Sequence, residues 1–192
     1  MKHILVPTLV LFTASVALSF IPAPTRTVSA QPKAQSPPFV KQGSSITQVA
    51  TFEAGGVPSS WQPAPGRVSI VLNFNPSCQG CDLALEGWRE LLAWHRTEES
   101  LPIDIIFSTS AYRADAREYL LANGLDGEIQ RFDLSADMTG AIPESKVRFL
   151  TTPQTIVLDG NGRAARVRVG PWAADELDEW TEAIYASLAT CD

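Results

Sequence analysis

Two cysteines separated by two residues, in Cys78-Gln79-Gly80-Cys81, are the feature of this chain best suited to chemistry; a third, Cys191, lies one residue from the end. A thiol exchanges with a disulfide only as its thiolate, so reactivity here depends on what could ionise one of the pair. Upstream, Val68-Ser69-Ile70-Val71-Leu72-Asn73-Phe74 is a short apolar, β-branched run bounded by Gly66 and Pro76, the pattern of a buried strand. From Cys78 onward the spacing turns helical through Leu85, Trp88, Leu91 or Leu92, and His95, and the helix ends before Pro102. The pair therefore falls where a strand hands over to a helix. Unpaired backbone N–H groups and the positive end of the helix dipole stabilise an anion in that first turn. Cys78 is expected to be the more acidic thiol, in the range of about 3.5 to 7.5 known for such sites. Cys81, one turn further in, is better shielded. The expected division is Cys78 as attacking thiolate and Cys81 as resolving thiol, acting through a mixed disulfide.

Other uses of the pair are weaker. Two intervening residues close a very small ring, and the loop-closure gain of a structural cross-link grows with ring size. Half of a zinc site is a second alternative, but structural zinc usually takes four ligands. With His3 in the leader, only His95 and Cys191 remain as soft donors. His95 lies about four helical turns past Cys81, roughly 20 Å away on a continuous helix. No metal and no cofactor is expected. An inert buried pair is the third alternative.

A second candidate is Thr151-Thr152-Pro153, immediately before the apolar run Gln154–Leu158. A proline opening a strand is ordinary, because its missing N–H matters least there; downstream of a helix-opening Cys pair the combination is more specific. The elements that must position these residues follow from the pattern. Ile103–Ser108 is a second buried strand, and Arg113–Ala122 a second helix closed by Asn123-Gly124. Glu128–Phe132 is a short strand, and Ala141–Phe149 a weak helical piece held back by Pro143. Gln154–Leu158 and Arg163–Val169 are strands joined by Asp159-Gly160-Asn161-Gly162, a hairpin signal. Asp175 is the expected N-cap of a last helix with Leu177, Trp180, Ile184 and Leu188 on one face. The sum is an α/β architecture, a mixed central sheet flanked by helices with an antiparallel final hairpin.

The ends differ from this body. Lys2 and His3 open the chain, Ile4–Ile21 is apolar apart from Pro7 and a few Ser and Thr, and Val28-Ser29-Ala30 closes the segment with small residues. Basic, then apolar, then small is how a secretory leader reads, with cleavage expected after Ala30. An uncleaved anchor is the alternative, since the apolar run is near the lower limit of roughly 17–25 residues for a spanning helix. Gln31 to about Pro38 reads as a disordered tether and Thr51–Gly66, rich in Pro and Gly, as loop, so the expected organisation is leader 1–30, tether and loop-rich lead-in 31–66, and a domain over 67–192. Loss of the leader takes Lys2 and Arg26 and no acid, leaving 13 of the 15 basic residues against 21 acidic ones, a charge of −8. Such a chain is a poor polyanion binder, so no nucleic-acid partner is expected. Arg163, Arg166 and Arg168 are the one local basic group, expected to decorate a solvated strand, and Cys191 is expected to be a spare thiol on a frayed terminus.

Taken together, Val71-Leu72-Asn73-Phe74-Asn75-Pro76-Ser77-Cys78-Gln79-Gly80-Cys81 and Thr152-Pro153-Gln154-Thr155-Ile156-Val157-Leu158-Asp159-Gly160-Asn161-Gly162-Arg163 resemble the thioredoxin superfamily, and within it the exported TlpA/ResA-like thiol–disulfide oxidoreductases. The resemblance runs from roughly Phe39 to the end. It implies a thioredoxin fold with an inserted helix and strand between Ser110 and Ala141. It also implies a cis Thr152–Pro153 bond beside the Cys pair, with the Thr152 backbone pairing an extended substrate segment. The implied activity is dithiol–disulfide exchange with protein thiols or disulfides through Cys78 and Cys81, recycled by a membrane or soluble redox partner. The implied place is periplasmic or otherwise extracytoplasmic, membrane-tethered where the leader stays uncleaved. A metal-handling or binding module without redox turnover is the alternative, although copper-delivery relatives use CxxxC and a distant His, which this chain lacks. A peroxidase is weaker still, for want of the Pro-Xaa-Xaa-Xaa-Thr/Ser-Xaa-Xaa-Cys run of peroxiredoxins. Three departures stand out. Pro76-Ser77 replaces the usual Trp before the first Cys. Leu72 and Phe74 occupy the neighbourhood where thioredoxins bury an acid, leaving Asp133 or Asp137 as candidate substitutes. Gln79-Gly80 carries neither the Pro of reducing members nor the His of strong oxidants, so it sets no redox direction.

Overall fold

Strand Val68–Phe74 (β3) carries the architecture, because all seven of its residues are buried and both its edges are paired. The structure, a computed structural model, describes residues 40–52, 57–111, 113–132 and 152–191. All of these lie within the compact unit Gln35–Asp192. Before β3 come Val49–Phe52 (β1) and Pro58–Trp61 (β2); after it come helix Gln79–Thr97 (α1), Ile103–Thr109 (β4), helix Arg113–Ala122 (α2) and Glu128–Phe132 (β5). Gln154–Leu158 (β6) and Ala164–Val169 (β7) then lead through a 3₁₀ turn, Ala174–Glu176, into helix Leu177–Leu188 (α3). One sheet holds the seven strands in the order β2-β1-β5-β4-β3-β6-β7. β3 runs parallel to β4 and antiparallel to β6, β5 is parallel to β4, and the β6–β7 hairpin is antiparallel. This is the mixed sheet the sequence predicts.

The alternation of a strand sends the side chains of β3 to two cores. Val68, Ile70, Leu72 and Phe74 meet Leu85, Trp88 and Leu91 of α1 and Trp180 and Ile184 of α3 on one face. Val71 turns the other way, joining Ile156, Leu158 and the early residues Val40, Ile46 and Val49. The lead-in is thus not all loop. Within Thr51–Gly66, expected to be irregular, β1 pairs with β2 from Val49↔Trp61 to Phe52↔Pro58 and with β5. Pro58-Ser59-Ser60-Trp61 has no apolar run to announce a strand; it becomes one by pairing, and its proline is tolerated at the first residue of an edge strand.

Three smaller expectations are corrected. Asp175 lies inside the 3₁₀ turn instead of capping α3; Glu176 reaches back to accept the Ala173 N–H at 2.8 Å. The arginines of β7 do more than face solvent: Arg168 pairs with Glu176, and Arg166 pairs with Glu179 while lying 4.8 Å over the Trp180 ring. Cys191 does not fray but packs against the core, close enough to Gly160 that a Cβ there would lie 2.7 Å from its sulfur. The leader, the tether, Thr151, Asp133, Asp137 and the piece Ala141–Phe149 lie outside the described residues. Among the described residues no helix is long and apolar enough to cross a membrane.

Candidate active site

The end of β3 and the start of α1 meet at Cys78, which is the N-cap of α1 in extended conformation (φ −95°, ψ 110°). No side chain caps this helix, so none competes with the Cys78 sulfur for the N–H groups of the first turn. The approach is a tight turn: the Cys78 N–H donates to the Asn75 carbonyl at 3.0 Å, while Asn75 Oδ1 accepts from the Ser77 N–H and hydroxyl at 2.9 and 2.8 Å. The Cys81 N–H then donates to the Cys78 carbonyl at 2.9 Å, opening the helix. The helix register leaves Cys78 half-buried and turns Cys81 wholly into the core beside Ala84, Leu85 and Trp88.

Across from this turn, β6 begins. The Thr152–Pro153 peptide is cis, and the Cys78 thiol donates to the Thr152 carbonyl at 3.3 Å. The two strand-encoded segments, 74 residues apart in sequence, are thus in direct contact. Gly80 faces this approach closely: a Cβ there would sit 3.1 Å from Pro153 Cδ, which would have to give by a few tenths of an ångström, and 3.7 Å from Cys78 Sγ, an ordinary contact. On the far side of the proline, the Gly170 N–H donates to the Pro153 carbonyl at 2.8 Å.

This setting splits the two thiols. Burial works against a Cys78 thiolate, but hydrogen bonds from the Thr152 side chain, the Cys81 thiol and the backbone of Cys81 and Gly80 outweigh it, so its pKa falls below the ordinary thiol value. Burial pushes Cys81 up to about 12, helped by the neighbouring Cys78 and opposed by the Asn75 backbone and the Thr152 side chain. One sulfur is primed to ionise and its neighbour to stay protonated.

Sequence reasoning missed three residues around the pair. Tyr119 of α2 stacks on Phe74, with ring centroids 5.6 Å apart, and donates to Asp82 of α1 at 2.8 Å. Its phenol is raised by burial first, then by the bond to Asp82 and by the charges of Asp82, Cys81 and Cys78. Thr155 of β6 and Trp172, after β7, join through a hydrogen bond that also involves Trp88. A buried indole announces that it needs an acceptor, but not which one. Among the described residues no group of three His, Cys, Asp or Glu side chains is placed to hold a metal ion.

No family model matches the chain. Methylamine utilization protein MauD of Methylophilus methylotrophus is 30% identical over 126 residues, 66% of this chain and 54% of that protein, so the chain spans about half the length of this curated relative. Among solved structures, a thiol:disulfide interchange protein of the thioredoxin family from Chlorobium tepidum superposes with a TM-score of 0.52 at 17% identity, covering 78% of this chain and 99% of that one. StoA from Bacillus subtilis does so with a TM-score of 0.50 at 18% identity, covering 71% and 97%. On these matches the chain has the thioredoxin fold, and it is similar to thiol–disulfide oxidoreductases built on that fold.

Proposed function

We propose that this protein is an exported thiol–disulfide oxidoreductase of the TlpA/ResA-like kind, in which Cys78 attacks and Cys81 resolves. The observation that carries the reading is geometric: Cys78 sits half-buried at an uncapped helix N-terminus against the Thr152 carbonyl, with Cys81 fully buried one turn further in, a setting that shifts the two thiols in opposite directions. In the reducing direction the Cys78 thiolate attacks a protein disulfide. The substrate S–S bond breaks, a Cys78–substrate disulfide forms, and the first substrate sulfur leaves and takes up a proton. Cys81 then gives up its proton and attacks the Cys78 sulfur, releasing the second substrate thiol and leaving a Cys78–Cys81 disulfide, so two electrons have passed to the substrate. A redox partner returns the pair to the dithiol. The same steps run backward oxidise a substrate dithiol. The Thr152 backbone beside Pro153 is the proposed docking edge for an extended substrate segment, added as a strand.

Reduction of insulin by the purified protein tests the reading. Wild type is expected to be active, Cys78→Ser inactive, and Cys81→Ser to accumulate a mixed disulfide visible by mass spectrometry under non-reducing conditions. An accessible, titratable Cys pair that exchanges with no disulfide would sink it. A glutathione titration of the couple sets the direction: a potential near about −270 mV marks a reductant and one near about −120 mV an oxidant. Export rests on the leader pattern at 1–30, and the expected mature N-terminus is Gln31.

A further inference from the structure

Thr155 is wholly buried on β6, two residues past Pro153. Its hydroxyl oxygen accepts two hydrogen bonds, one from Trp88 Nε1 and one from Trp172 Nε1, each at 3.1 Å. A hydroxyl oxygen has two lone pairs, so both are used. The two donors come from different places. Trp88 belongs to α1, the helix that starts at the Cys pair, and Trp172 to the segment that follows β7. Both indoles are buried, so neither N–H has water as a substitute partner. The same three pieces also meet at two further places. A Cβ on Gly87 of α1 would lie 2.7 Å from the Trp172 carbonyl oxygen, and Gly170, two residues before Trp172, donates to the Pro153 carbonyl. Helix α1, strand β6 and the segment after β7 therefore share one polar knot, a single oxygen in an otherwise apolar layer.

We propose that Thr155 is a positioning residue: by holding the indoles of Trp88 and Trp172 on one oxygen, it fixes how closely the Thr152–Pro153 step stands against Cys78. The proposal rests on the thiol-exchange reading above. Its physical basis is leverage. The Cys78–Thr152 contact joins two separate elements at 3.3 Å, and a sulfur hydrogen bond of that kind is weak and easily stretched. The spacing must be set by stronger contacts behind it, and the Thr155 knot ties the same two elements three residues further along the chain. Without it, two buried indole N–H groups lose their acceptor, and α1 and β6 are free to separate until each finds another partner. The Thr152 side chain then retreats from the Cys78 sulfur.

The test is the pH dependence of iodoacetamide alkylation at Cys78, followed by mass spectrometry of its peptide in the fully reduced, full-length protein. Thr155→Val keeps the side-chain shape and removes the acceptor; Thr155→Ser restores it. The expected result is that Thr155→Val moves the alkylation midpoint upward and slows alkylation about tenfold below that midpoint, the change that accompanies one pKa unit. Thr155→Ser returns both to wild type. Trp172→Phe, which removes one donor and keeps the Trp88 bond, gives a smaller shift and serves if Thr155→Val does not fold. An unchanged midpoint in the Val and Phe variants, with lower thermal stability alone, would overturn the proposal and leave the exchange reading intact. A wild-type Cys78 that titrates as an ordinary thiol would instead overturn the exchange reading itself.

Discussion

At the scale of single residues, two chemically identical thiols are shifted in opposite directions, Cys78 by hydrogen bonds that outweigh its burial and Cys81 by burial itself. Cys78, half-buried at the helix end, is held below the ordinary thiol range, whereas Cys81, one turn deeper, is pushed up to about 12. Alkylation of the reduced protein at neutral pH is expected to label Cys78 and spare Cys81, as read by peptide mass spectrometry; equal labelling would contradict the assignment. The raised Cys81 value also has a consequence for stability. A group whose folded pKa lies above its unfolded one contributes fully below the unfolded value and loses that contribution as pH rises through the folded one. Reduced protein should therefore melt at progressively lower temperature between pH 9.0 and about 12. Cys81→Ser should flatten that slope, whatever its effect on the melting temperature at neutral pH.

At the scale of elements, close approach is set by glycines as much as by apolar faces. Gly87 lets α1 lie against Trp172, and Gly87→Ala should lower stability by about 1–3 kcal/mol, the usual range for overpacking. Thermal melts should show it as a drop of about 2–4 °C per kcal/mol. The contrast is Gly124, which ends α2 at φ +69° with open space around it; Gly124→Ala should cost only the backbone strain, about 1 kcal/mol. The strands and helices that carry the site were legible in the sequence because each has a period of its own: β3, α1, β4, α2 and β6 appear where the patterns put them. Cys78 and Cys81 could be found for the same reason, since a strand-to-helix switch is a local signal. What was not legible arises from partners far away in the chain. The strand at Pro58–Trp61 exists because β1 pairs with it, and the roles of Arg166 and Arg168 exist because α3 presents Glu179 and the 3₁₀ turn before it presents Glu176. Thr155 looked like any strand threonine, since nothing in its neighbours tells that two indoles converge on it.

For the molecule as a whole, the sheet divides labour between its faces: one is covered by α1 and α3, the other partly by the chain that precedes β3. Val40, Ile46 and Val49 are buried there against Val71, Ile156 and Leu158. A chain begun at Arg67 should therefore be much less stable than one begun at Gln35, because burial of each such side chain contributes about 1.5–3 kcal/mol. Equal denaturation midpoints for the two would show that the lead-in is dispensable. The far end of the sheet holds a last consequence. Cys191 nests beside Gly160 and Gly66, near where β3 begins, whereas Cys78 follows its other end. Seven strand residues at about 3.3 Å each separate these places, several times the Cα spacing of under about 7 Å that a disulfide spans. Of the three ways to pair three cysteines, the folded chain permits one, so any species containing a Cys191 bridge is a marker of a misfolded or cross-linked population, countable on a non-reducing gel.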